Sequence, residues 1–156
     1  MPEQKSLITD EVKASIGRTV TGEPELVEMG MIREFAIAIA WPDPPNPLYS
    51  DEAYARKNRH KGIIAPPTFF TRLGHNMPRP HVPLPECKVQ INGGHEFEML
   101  GVIRPGDRIV MTRKVADVYE KLGRKDHMVF VIYDFTYTNQ LNEVVGKGKF
   151  TAIRLY

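Results

Sequence analysis

Cysteine is almost missing from this sequence: of 156 residues only Cys87 is one, so no disulfide can form within the chain. That usage suits a reducing compartment, and a cytoplasmic location is the simplest expectation. A one-sided charge is missing too. With 21 Lys and Arg against 19 Asp and Glu, the net charge of +2 gives no global field for nucleic acid. Long apolar runs are absent: Met1-Pro-Glu-Gln-Lys-Ser6 holds no signal-peptide core, and nothing approaches the roughly 18 apolar residues of a membrane span. The expectation is a soluble, unprocessed chain with neither membrane nor nucleic acid as partner. Without a cysteine pair, and with no two histidines at ligand-like spacing, no metal is expected.

What is present is ordinary globular composition, 42% hydrophobic and 26% charged, in a length that suits one domain over residues 1–156. Thr9 to Gly17 opens on a capping residue, carries acids in its first turn and stops at glycine, which predicts a short helix. Arg18 to Glu28 alternates loosely and breaks at Gly22-Glu-Pro24, as an interrupted strand would. Glu28 to Trp41 is dense in helix formers and apolar on most sides, predicting a helix buried against something larger. Pro42 to Tyr49 holds four prolines and is expected to be an irregular rigid loop, neither helix nor central strand.

Two short helices follow, Ser50 to Arg56 and Ala65 to Leu73, and then a proline-rich connection over Asn76 to Glu86. Beyond Cys87 the pattern turns to strands. Lys88 to Glu98, Asp107 to Tyr119, His127 to Thr138 and Lys147 to Tyr156 are rich in Val, Ile, Phe and Tyr. Turns at Pro105-Gly-Asp107 and Asn139 to Asn142 make antiparallel neighbours the simplest arrangement. Helices early and long strands late give an α+β fold, with a curved antiparallel sheet wrapped around the apolar helix.

Several stretches resemble the N-terminal-type domain of the MaoC-like dehydratases: Val27 to Ile39, Asn46-Pro-Leu-Tyr49, Ile63 to Phe69, Ile91-Asn-Gly-Gly-His-Glu-Phe97, Arg104-Pro-Gly-Asp107, Asp117 to Gly123 and Tyr137-Thr-Asn-Gln140. In order they cover nearly the whole chain. The resemblance implies a single hot-dog fold and action on acyl groups carried as thioesters of coenzyme A or acyl carrier protein. The reaction would be hydration of a trans-2-enoyl thioester or dehydration of its (R)-3-hydroxy form. It also implies a dimer whose sheet continues across the interface, and no redox cofactor.

The family's active half carries Asp-x-Asn-Pro-x-His after the central helix. Here Asn46-Pro47 matches, but Pro44 stands where the aspartate should be and Tyr49 where the histidine should be, with Asp43 one residue early. A phenol that titrates near pH ~10 cannot replace a histidine base. The resemblance therefore implies a half that shapes the acyl channel while a partner subunit supplies the catalytic pair. Other readings stay open: a self-sufficient hydratase using Asp43 and His95, a hot-dog thioesterase, or a non-catalytic acyl-thioester sensor.

Residues expected at an acyl-thioester site are Asn46, Tyr49, Pro66, Thr68, Phe69, Gly93, Gly94 and His95, each with a plain structural alternative in loop packing, a helix start or a strand bulge. The basic cluster Arg56, Lys57, Arg59, His60 and Lys61 reads either as a solvated face or as a site for carrier phosphates. His75, His81 and His127 are expected on the surface.

Overall fold

The computed structural model describes residues 5–123 and 127–156. Residues 124–126 of the expected turn before His127, and residues 1–4, lie outside that description. Thr9 caps a short helix α1 (Asp10–Lys13), its hydroxyl accepting from the Val12 amide. Strands β1 (Thr19–Thr21) and β2 (Glu25–Leu26) are the two pieces of the interrupted strand. Helix α2 (Met29–Ala40) is the predicted apolar helix. Long strands β3 (Val89–Met99), β4 (Arg108–Leu122), β5 (His127–Thr138) and β6 (Val144–Leu155) complete an antiparallel sheet in the order β1-β4-β5-β6-β3, with β2 also on β4.

Three sequence expectations need correction. The proline-rich loop does contain helix: α3 (Pro47–Ser50) makes one turn, because Asn46 caps it from its side chain and Pro47 occupies a first-turn position where no amide is needed. Helix α4 (Glu52–Lys57) follows at once, capped by Asp51. The segment after Ala65 is a 3-10 helix, Pro67–Arg72. Strand β3 is not a neighbour of β4. The intervening residues run across the molecule, where Ile103 accepts from the Ala65 amide and Gly106 donates to the Val27 carbonyl, and β3 pairs instead with β6.

The third correction is His127. It is buried, only 2% exposed, and its Nε2 lies 2.8 Å from the Glu120 carboxylate. Glu120 also accepts from the Leu7 amide, so the N-terminal segment is tied to the end of the β4–β5 hairpin. Burial pushes the Glu120 carboxyl upward, but bonds from Ser6, Leu7 and His127 outweigh it and hold the group below its ordinary value.

Burial along β5 alternates without a break, which fixes two faces for the whole sheet. On the inner face Val129, Val131, Tyr133, Phe135 and Tyr137 meet Phe69 and Phe70 of the 3-10 helix and Val27 and Ile32 from the α2 region in one apolar core. Phe69 meets Phe35 of α2 edge to face, with centroids 5.5 Å apart, and full burial of such a ring contributes roughly 1.5–3 kcal/mol. The helix is buried on one side only. Ile32 and Ala36 face the core, whereas Ile37 and Ile39 are about half exposed, at 51% and 52%.

Candidate functional site

The inner face of the sheet is not filled completely. Between β3 to β6 and the segment from Phe70 to Arg79 lies a cavity of about 420 Å³, floored by Tyr133, Phe135 and Tyr137 and walled by Phe70, Phe97 and Phe150. Strict alternation carries Met111 and Arg113 of β4 onto this face, opposite Tyr137 and Phe135. On β3 a bulge does the same work. The register shifts between Asn92 and Gly94, so residues on both sides of the bulge, Gln90 and Asn92 before it and His95 and Phe97 after it, line one cavity. Gly94 accepts this geometry at φ 131°, a region that side-chain-bearing residues rarely adopt, and its amide donates to Asn92 Oδ1 at 2.9 Å.

His95 stands at the exposed side of the cavity. Its ring stacks on Phe150 at 4.5 Å and lies parallel to Phe97 at 5.7 Å. Partial burial lowers its pKa, which keeps the imidazole neutral and able to accept a proton at neutral pH. A histidine base in hydration works with a carboxylate close to the water, and among the described residues no Asp or Glu lines this cavity. Asp43 is exposed just past α2, its amide donating to the Ala40 carbonyl, and it is not part of the lining.

The remaining expected site residues divide cleanly. Asn46 is engaged as the cap of α3, and Tyr49 is half-buried against the core rather than open to the cavity. Pro44 is exposed. Pro66 is buried, Thr68 is exposed with its carbonyl accepting from the Thr71 hydroxyl, and Phe69 is wholly buried in the core. The ring that reaches the cavity is its neighbour Phe70, which lies 4.7 Å from Tyr137. Gly93 and Gly94 shape the cavity through the bulge rather than by contact. Arg56, Lys57 and Arg59 are exposed on and after α4, where Arg56 pairs with Glu52 and Arg59 donates to His60.

Arg113 and Arg79 are charged cavity residues that sequence reading missed, and His75, expected only as a surface residue, lines the cavity as well. The signal was present, since Arg113 has the same parity along β4 as Ile109, Met111 and Val115. Its guanidinium lies over the Phe135 ring at 5.1 Å. Burial, with Arg79 adding like charge, pulls its pKa below the ordinary value, and burial raises the phenols of Tyr133 and Tyr137. Among the described residues no cluster of His, Cys, Asp and Glu could hold a metal, and no helix is long and apolar enough to cross a membrane. Chemically the cavity can hold an apolar chain and a polar or anionic end, and it offers two imidazoles, His75 and His95.

Residues 14–147 match the model of the FAS1-like, dehydratase domain region. The chain belongs to this family. Within it, a UPF0336 protein of Parafrankia sp. (strain EAN1pec) is 30% identical over 139 residues, covering 85% of this chain and 87% of its own. The fold of this FAS1-like dehydratase domain is that of the MaoC-like dehydratases. The structure of the MaoC-like dehydratase from Rhodospirillum rubrum superposes with a TM-score of 0.69 at 23% identity, covering 90% of this chain and 92% of the other. The C-terminally truncated HadBC (3R-hydroxyacyl-ACP dehydratase) complex from Mycobacterium tuberculosis gives 0.71 at 21% identity, over 89% and 96%. Gln140 donates to the Asp107 carboxylate at 3.0 Å while accepting from the Arg108 amide, so the β5–β6 turn is tied to the start of β4.

Proposed function

We propose that this chain is the acyl-thioester-binding subunit of an (R)-specific enoyl-thioester hydratase or 3-hydroxyacyl-thioester dehydratase, and that a second hot-dog chain carries the catalytic Asp and His. The observation that supports this best is the pairing of an acyl-sized aromatic cavity with a missing acid–base pair: Pro44 and Tyr49 occupy the dyad positions, and among the described residues no carboxylate lines the cavity that holds His95. Hydration needs a base to take a proton from water as its oxygen bonds to C3, and a donor to return a proton to C2. An imidazole without an orienting carboxylate supplies this poorly. The likeness to the HadBC complex supports a paired assembly, and β3, an eleven-residue edge strand, is the natural seam.

The test is hydration of crotonyl-CoA and of a longer enoyl-CoA by the purified chain, followed by loss of the conjugated-thioester absorbance, with acyl-CoA binding measured alongside. Binding with negligible turnover is expected. Robust turnover by the chain alone would refute the reading. It would favour a self-sufficient hydratase, a reading that the lowered pKa of His95 also supports, and His95→Ala would then abolish activity with the fold intact.

A further inference from the structure

The reading above leaves the arginines of the cavity without a task. Arg113 and Arg79 both line it, and among the described residues no carboxylate lies in its wall. Arg113 Nε is buried and has no hydrogen-bond partner among the described residues; the same holds for Arg154 Nε on β6. All three guanidinium groups lie close enough to Tyr133 to pull its phenol downward against the burial that raises it. Stacking on Phe135 satisfies one face of Arg113 and none of its donors. A half-buried cation kept without a counter-charge is costly in the free protein, and the cost is recovered when an anion enters. The surroundings then decide which anion: a small inorganic ion would leave the ring of Phe70, Phe97, Phe135 and Phe150 without contact, whereas an amphipathic one would cover it.

We propose that this cavity binds the carboxylate of an acyl chain between Arg113 and Arg79, with the chain body lying on the aromatic wall. This rests on the acyl-binding reading and narrows it to acyl groups that carry a carboxylate, either a free fatty acid or the far end of a dicarboxylic acyl thioester. No covalent step is involved.

The experiment is calorimetric titration with octanoate, octanol, octanoyl-CoA and the mono-CoA thioester of suberate. Octanoate is expected to bind at least about 10-fold more tightly than octanol, as loss of a charge-assisted pair in a partly buried site requires. Arg113→Met should level the two. Arg79→Gln, at an exposed position that carries no folding load, should reduce the ratio in the same direction. A preference for the suberate thioester over octanoyl-CoA identifies the dicarboxylic source, and a preference confined to octanoate identifies the free acid. Equal binding within both pairs, or a ratio unchanged in both variants, overturns the proposal. Octanoyl-CoA that does not bind while octanoate does would refute the thioester reading and leave the anion site standing.

Discussion

The two edges of the sheet are built differently. At the β4 edge the outer backbone of the first half of the strand is covered by two short strands: β1 pairs Thr19 to Thr21 with Lys114 to Thr112, and β2 pairs Glu25 and Leu26 with Ile109 and Arg108. Short, interrupted edge strands give another chain little to add to. At the other edge β3 runs unbroken for eleven residues, paired with β6 on one side only among the described strands. Its apolar side chains Val89, Ile91 and Met99 are exposed at 52%, 44% and 46%. One edge is covered over its first half by its own chain, and the other is left open among the described strands. The cavity lies under the second, so whatever pairs with β3 also borders the candidate site.

The strongest way to break this comparison is to remove the bulge that makes β3 serve two purposes. Gly94→Val places a β-branched residue at φ 131°, although the space around its Cβ is open. Such backbone strain costs about 2–3 kcal/mol, which in a chain of this size is a fall in Tm of roughly 4–12 °C. If instead the bulge moves to relieve the strain, His95 leaves the cavity wall, and acyl binding falls while Tm holds. A variant with unchanged Tm and unchanged binding would show that the bulge is ornamental.

A smaller effect tests the closed edge. Glu25 of β2 accepts from the Gly74 amide at 3.0 Å and lies 3.9 Å from Arg72, so the short strand also fastens the turn between the 3-10 helix and Met77. Glu25→Ala removes a partner from a half-buried amide and should cost about 1–2 kcal/mol. Hydrogen exchange should quicken at Gly74 and its neighbours before it quickens in β5. Uniform quickening across the sheet would show that the edge is held by strand pairing and not by this latch.

Much of this was legible in the sequence, for reasons that differ by element. The alternation from His127 to Thr138 is strict, so β5 was readable to the residue, and α2 announced itself by its apolar helix formers. The α3 turn was missed because four prolines outweighed one Asn-Pro cap in the reading, yet that cap sufficed. The place of β3 was missed because proximity in sequence suggested β4; the decisive hydrogen bonds, Ile103 to Ala65 and Gly106 to Val27, join segments far apart in the chain. His127 looked like a surface turn residue, since nothing local reveals Glu120 across the hairpin. Of the site, the Asn-Gly-Gly-His signal led to the bulge and to His95, whereas Arg113 lay hidden as a charged residue on an apolar parity.

The finest test concerns β3 alone. Ile91 points away from the cavity, on the face opposite Gln90 and Asn92, and stands across from Ile153 of β6. Already 44% exposed, it contributes little to the core of a single chain, so Ile91→Asp should change folding stability by no more than about 1 kcal/mol, or roughly 2–4 °C in Tm. Its effect on pairing is of another order. A carboxylate on a joining edge is the device by which natural sheets refuse a second strand, because pairing would desolvate the charge and bring it against its own symmetry mate. Sedimentation of the chain at tens of micromolar should show a dimer for the parent sequence and a monomer for the variant, a loss of at least about 10-fold in association. A variant that melts and associates like its parent would move the interface to the exposed side of α2, where Ile37 and Ile39 lie uncovered, and the open edge of β3 would need another explanation.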